Sequence, residues 1–176
     1  MDAGFAVWIT GLPSSGKSTV AEALRRELAG LGVNVAVLES DDLRKVLTPD
    51  PRYDEREREI FYGALVRIGK ILTDHGVSVI FDATGHRRDY RDRARREIAG
   101  FLEVFVDCPL AVCIARDPKG IYRRGRDGEF TEVPGLQVEY EPPVAADAVV
   151  RGDAEEPETA ARRIVRKLRE KGYVNR

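Results

Sequence analysis

The run Gly11-Leu12-Pro13-Ser14-Ser15-Gly16-Lys17-Ser18 limits what this chain can fold into more than any other stretch of it. It fits G-x-x-x-x-G-K-[ST], and it stands between two segments of different period. Before it, Phe5-Ala6-Val7-Trp8-Ile9-Thr10 is a β-branched and aromatic run without alternation, as in a central parallel strand covered on both faces. After it, Val20, Leu24, Leu28 and Leu31 recur every three or four residues, which predicts a helix from about Ser18 to Gly30 or Gly32. In that context the glycines let the backbone curl so that successive N–H groups converge on phosphate oxygens, and the helix start adds its positive end. Gly11, Ser14, Ser15 and Gly16 form the cradle of an ATP-type nucleotide in this reading, and Lys17 neutralises its β- and γ-phosphates. Ser18 offers a hydroxyl to Mg²⁺, and Thr19 meets the α-phosphate.

Strand and helix signals alternate along the rest of the chain. A second strand is predicted over Val33 to Glu39. Asp54 and Glu57 stand in capping-box spacing before a helix from about Glu55 to His75, closed by Gly76. Val77 to Asp82 and Phe101 to Asp107 read as strands with an Arg-rich helical stretch between them. The short apolar segment Ala148-Val149-Val150 and a helix with Pro157 in its first turn complete the pattern. Such alternation needs crossover connections, hence an α/β three-layer sandwich with a parallel sheet of about five strands and helices on both faces. With 176 residues, one domain spanning 1–176 is expected. The exception is 117–143, rich in Gly and Pro and poor in apolar periodicity, which reads as an irregular lid.

Charge and composition remove several classes. The 29 Lys+Arg and 30 Asp+Glu leave a net charge of −1, which argues against a general nucleic-acid binder. No apolar run approaches the ~20 residues of a membrane span, and the first residues lack a signal peptide's basic and apolar regions, so a cytoplasmic protein is expected. Cys108 and Cys113 have no second Cys or His pair to complete a zinc site and read as reduced, partly buried thiols.

Ligands of open α/β sheets bind beyond the carboxyl ends of the strands. Glu39-Ser40-Asp41-Asp42-Leu43-Arg44 falls there. Asp41 is the candidate base and metal organiser, able to accept a hydroxyl proton and to hold a Mg²⁺-bound water. Asp42 reads as a helix cap, and Arg44, one turn on, as a ligand for an anionic group. Asp82 ends the third strand and reads equally as a Walker-B-like carboxylate or as a cap. His86 reads as loop polarity. Arg87, Arg88, Arg91, Arg93, Arg95 and Arg96, interleaved with Asp89, Asp92 and Glu97, read as a solvated helix face. Arg116, Arg123, Arg124 and Arg126 lie in or beside the lid, placed to close over phosphates.

Asp117-Pro118-Lys119-Gly120-Ile121-Tyr122 after Arg116, then Phe130-Thr131 and Tyr140-Glu141-Pro142-Pro143, resemble the lid of adenylylsulfate (APS) kinases. With the glycine loop, the Asp41 to Arg44 element and Phe105-Val106-Asp107-Cys108-Pro109-Leu110, the resemblance covers nearly the whole chain. It implies a P-loop kinase, commonly a dimer, that uses Mg²⁺ and ATP to phosphorylate the 3′-hydroxyl of adenosine 5′-phosphosulfate, giving PAPS. It also implies roles: Asp41 as catalytic acidic residue, Arg44, Arg58 and Lys119 on the phosphosulfate end, and Tyr53 and Phe130 sandwiching the adenine. Arg116 would serve the nucleotide, and Thr84 would stand where the family has a serine in its substrate loop. The chain departs from the family at Glu39-Ser40-Asp41 for Asp-Gly-Asp, Asp82-Ala83-Thr84-Gly85 for Phe-Ile-Ser-Pro, and Phe61 for an asparagine. Ser40-Asp41-Asp42-Leu43-Arg44-Lys45 and Phe81-Asp82-Ala83-Thr84 resemble instead the small kinases related to polynucleotide 5′-hydroxyl kinases and zeta-toxin-like enzymes. A kinase for another hydroxyl and a non-catalytic nucleotide-binding module are therefore the alternatives.

Overall fold

The period-2 geometry of a strand sends alternate side chains of β1 (Phe5–Thr10) to opposite faces, and every residue of it is buried. In the computed structural model, which describes residues 3–175, Val7 and Ile9 face α1 (Lys17–Gly30) and α7 (Pro157–Glu170), packing on Leu24, Leu28, Ile164 and Leu168. Ala6 and Trp8 face the other layer, α3 (Glu55–Asp74) and α4 (Arg88–Glu97), against Phe61, Leu65 and Tyr90. Two helical layers over one sheet explain why β1 carries no polar alternation.

The remaining elements are β2 (Val35–Glu39), α2 (Ser40–Leu47), β3 (Ser78–Asp82), β4 (Gly100–Asp107), α5 (Leu110–Arg116), α6 (Ile121–Arg126) and β5 (Ala148–Arg151). The sheet order is β2-β3-β1-β4-β5, with every pairing parallel. The P-loop therefore leaves the central strand, and the ends of β2 and β3 lie on one side of it. Register sets Asp82 beside Ile9 on one neighbour and beside Glu39 on the other, so both acids stand at the level where β1 gives way to the loop.

Four expectations need correction. Strand β2 starts at Val35 rather than Val33, because the Val33 N–H closes α1 by donating to Leu28 O at 2.9 Å. The 117–143 span is not irregular throughout: α6 lies within it, and Tyr122 and Val133 bury against Cys108 and Cys113 in a small core of their own. The Arg-rich helix α4 is not wholly solvated. Arg91 is 1% exposed, ion-paired with Glu103 at 2.7 Å and donating to the carbonyls of Gly85 and Glu141. Asp42 caps nothing; it lies inside α2, exposed, 2.6 Å from Lys45. Both cysteines are free and buried, and burial pushes the Cys113 thiol up to about 12.

Gly69 in α3 is a tight-packing position, since a Cβ there would overlap the Phe81 ring. Gly69→Ala is expected to lower stability by about 1–3 kcal/mol, overpacking outweighing the roughly 1 kcal/mol gained in helix propensity. Denaturant unfolding checks this; a more stable variant would contradict the packing argument.

Candidate active site

The loop after β1 takes its shape from backbone conformations that L side chains resist. Gly16 sits at φ 104° and Ser14 at φ 63°, and a Cβ on Gly11 would come 2.6 Å from Val106 O. Helix α1 starts directly at Lys17 with no side-chain cap, so its first N–H groups have no intrahelical or capping partner. A helix end of this kind facing a cavity suits phosphate. Lys17 Nζ donates to Leu12 O at 2.8 Å, which folds the side chain back over the loop. Burial pulls the Lys17 pKa down, while the carboxylates of Asp82 and then Asp41 push it up. Ser15 is fully buried and its hydroxyl has no partner among the described residues.

A cavity of about 960 Å³ opens over this loop and extends to the lid. It brings together Ser14, Ser15, Gly16, Lys17, Ser18 and Thr19 with Asp41, Arg44, Tyr53, Arg58, Thr84, Arg116, Lys119 and Phe130. Gly11 lies behind the loop rather than on the cavity wall. Of the lid arginines only Arg124 lines it; Arg123 and Arg126 point to solvent, contrary to expectation. Arg116 reaches the β5–α7 turn, donating to Gly152 O at 2.9 Å. That contact ties the root of the lid to the wall beside the P-loop.

The opposite end is a corner of paired charges. Arg44, 8% exposed, lays its guanidinium 3.9 Å over the Phe61 ring and 3.2 Å from Glu57. Glu57 serves two purposes: its N–H takes the Asp54 cap, while its carboxylate accepts from the N–H groups of Arg52 and Tyr53. This holds Tyr53 at φ 59° beside Arg44. Arg58 donates to Glu132 O at 2.5 Å, with the Glu132 carboxylate 3.6 Å away. Its other amino group lies 3.4 Å from His86 Nε2.

His86 is 6% exposed, so it is not the loop-surface residue expected. Burial first, then Arg58 and neighbouring arginines, drive its pKa down to about 4. The ring is neutral at physiological pH and accepts from Arg58. Sequence reasoning also missed Glu57 and Glu132 as parts of the site. Glu57 was visible only as a helix-start signal, and Glu132 carries no local pattern.

Two further placements matter. Asp41, in the first turn of α2, is half exposed, and its Oδ2 lies 2.5 Å from Lys119 Nζ, which also sits 3.6 Å from Glu39. Tyr53 and Phe130 meet edge to face, centroids 6.0 Å apart and planes at 68°, rather than as parallel plates. The two rings touch each other in this conformation, and a purine enters between them only if the lid shifts. Thr84 has its carbonyl fixed by the Thr10 hydroxyl at 2.5 Å, which locks the β3 exit onto β1.

A family model of adenylylsulphate kinases matches residues 3–151. The chain belongs to that family. It is 38% identical over 172 residues to the adenylyl-sulfate kinase of Microcystis aeruginosa, covering 98% of this chain and 95% of that one. It is 35% identical to a probable adenylyl-sulfate kinase of Pyrococcus abyssi, covering 97% and 98%. The solved Mycobacterium tuberculosis APS kinase CysC, in complex with AMPPNP and APS, superimposes with a TM-score of 0.89 at 34% identity over 96% of this chain and 99% of that one. A sugar kinase from Janibacter, at 18% identity and a TM-score of 0.64, shares the fold alone. Membership of the adenylylsulphate kinases accounts for the phosphate cradle and the lid; the Asp82 to His86 segment is where this chain shows its own arrangement.

Proposed function

We propose that this chain transfers the γ-phosphoryl group of ATP to the 3′-hydroxyl of adenosine 5′-phosphosulfate. The observation that carries the reading is a single cavity with an uncapped phosphate cradle at one end and Arg44, Arg58 and Lys119 with Asp41 at the other. The residues also fit the Mg²⁺ that travels with ATP: the Ser18 hydroxyl opens into the cavity, and Asp41 and Asp82 supply carboxylates on the same wall. Bound there, the ion would neutralise β- and γ-phosphate oxygens.

Lys17 leaves the Leu12 carbonyl to take the phosphates, and the free N–H groups at the start of α1 hold the remaining oxygens. Lys119 releases Asp41 for the acceptor's anionic end, which Arg44 and Arg58 also face. Asp41 then accepts the 3′-hydroxyl proton as the new O–P bond forms and the bond to ADP breaks. Closure of the lid, through Arg116 and Arg124, excludes water. Among the described residues no helix is long and apolar enough to cross a membrane. A cytoplasmic location and the homodimer implied by the resemblance belong to the same proposal; sedimentation tests the latter.

The test is coupled ADP release with Mg-ATP and APS, with the 3′-phosphorylated product confirmed by mass. Stimulation at micromolar APS is expected. No stimulation, with ATP binding intact, overturns the assignment and turns the search to other hydroxyl acceptors. Lys119→Ala is expected to raise KM for the acceptor by about 10–100-fold, the worth of one charge-assisted contact, and KM for ATP far less. Equal changes in the two constants would remove Lys119 from the acceptor site.

A further inference from the structure

We infer that Asp82 is the carboxylate that receives the divalent ion accompanying ATP, through one of the ion's water molecules, leaving Asp41 to the acceptor hydroxyl. This rests on the kinase reading above but not on the identity of the acceptor.

Asp82 is the last residue of β3, in register with Ile9 two residues ahead of the P-loop. It is 5% exposed, and its carboxylate forms no hydrogen bond or ion pair with any described residue. What exposure it has is to the nucleotide cavity, whose wall it shares with Lys17 and Ser18. A carboxylate withdrawn from water and left without a partner is costly unless a cation completes it. The cation at hand is Lys17, whose strongest charged influence is Asp82, yet Lys17 Nζ is engaged by Leu12 O and is destined for phosphate. Once it turns to the nucleotide, Asp82 needs another positive partner.

Asp41 is differently placed. Its side chain is 51% exposed and its charge is already met by Lys119 at 2.5 Å. No cluster of three or more His, Cys, Asp or Glu side chains able to hold a metal occurs among the described residues. That suits Mg²⁺, which keeps much of its water shell and is bound by one or two carboxylates together with substrate phosphates. The backbone that aims Asp82 is rigid, because Ala83 N–H donates to Ile9 O at 3.4 Å and Thr10 holds the Thr84 carbonyl.

The experiment measures AMPPNP affinity by calorimetry with Mg²⁺ and with EDTA, without acceptor, in the wild type, Asp82→Asn and Asp41→Asn. In Asp82→Asn the tightening produced by Mg²⁺ should shrink by about 10–100-fold, as when an outer-shell ligand is lost, while affinity in EDTA holds or improves. Asp41→Asn should keep the full Mg²⁺ effect. The inference is overturned if Asp82→Asn retains that effect, if it loses as much affinity in EDTA, if Asp41→Asn loses the effect instead, or if the wild type is indifferent to Mg²⁺. Asp82→Ser, smaller and also neutral, takes the place of an asparagine variant that fails to fold. Loss of fold in both would make the carboxylate structural and overturn the role. Because no acceptor is present, failure of the APS assignment leaves this test unaffected.

Discussion

Asp41→Ala is expected to lower kcat by about 10²–10⁴-fold, the range of a positioned general base, while ATP affinity changes little. The split follows from placement. Asp41 stands at the start of α2 on the acceptor side of the cavity, and its partner in the structure is Lys119 of the lid, not the P-loop. Removing the carboxylate leaves Lys119 with Glu39 at 3.6 Å, so the lid keeps an anchor and the cradle is untouched. Single-turnover transfer with APS, set beside AMPPNP binding by calorimetry, checks both halves. Retained turnover would take Asp41 out of the mechanism, and a parallel loss of nucleotide affinity would make it part of the ATP site.

Lys17→Met should act in the opposite way, lowering kcat/KM for ATP by about 10³-fold without loss of thermal stability. The ammonium is desolvated in the cavity floor, which already disfavours its charge, and the thioether fills the same space without that cost. A melting temperature equal to or above that of the wild type, alongside the kinetic loss, is the expected signature. The lowered Lys17 pKa also sets a direction for pH. In the empty enzyme the proton leaves at lower pH than from an ordinary lysine, so ATP binding should weaken with rising pH before the usual lysine range. Phosphate binding opposes that loss by favouring the charged form. An alkaline limb that persists unchanged in Lys17→Met would assign the titration to another group.

Much of the site was legible because its chemistry is local. Gly11, Gly16 and Lys17 act through backbone conformation and a helix start, and both leave a mark within a few neighbouring residues. Asp41 and Arg44 were visible for the same reason, falling where a strand hands over to a helix at the carboxyl edge of the sheet. His86 was misjudged because nothing near it in sequence shows that Arg58, 28 residues away, lies against its ring. Arg91 was misread as solvated because charge interleaving describes the helix alone, whereas its partner Glu103 comes from β4. The aromatic pair Tyr53 and Phe130 was brought together as expected, but its edge-to-face angle depends on how the lid packs.

The sequence by itself determined the order of elements, the parallel sheet, the phosphate cradle and the family, since each depends on periodicity or on a contiguous motif. Tertiary structure alone decided which charges meet: Lys119 on Asp41, Glu57 on Arg44, Glu132 on Arg58, and Asp82 left without a partner at the edge of the cavity. Ion pairs and buried carboxylates take their energy from distance and from exclusion of water, and neither quantity exists until distant segments of the chain have been folded together.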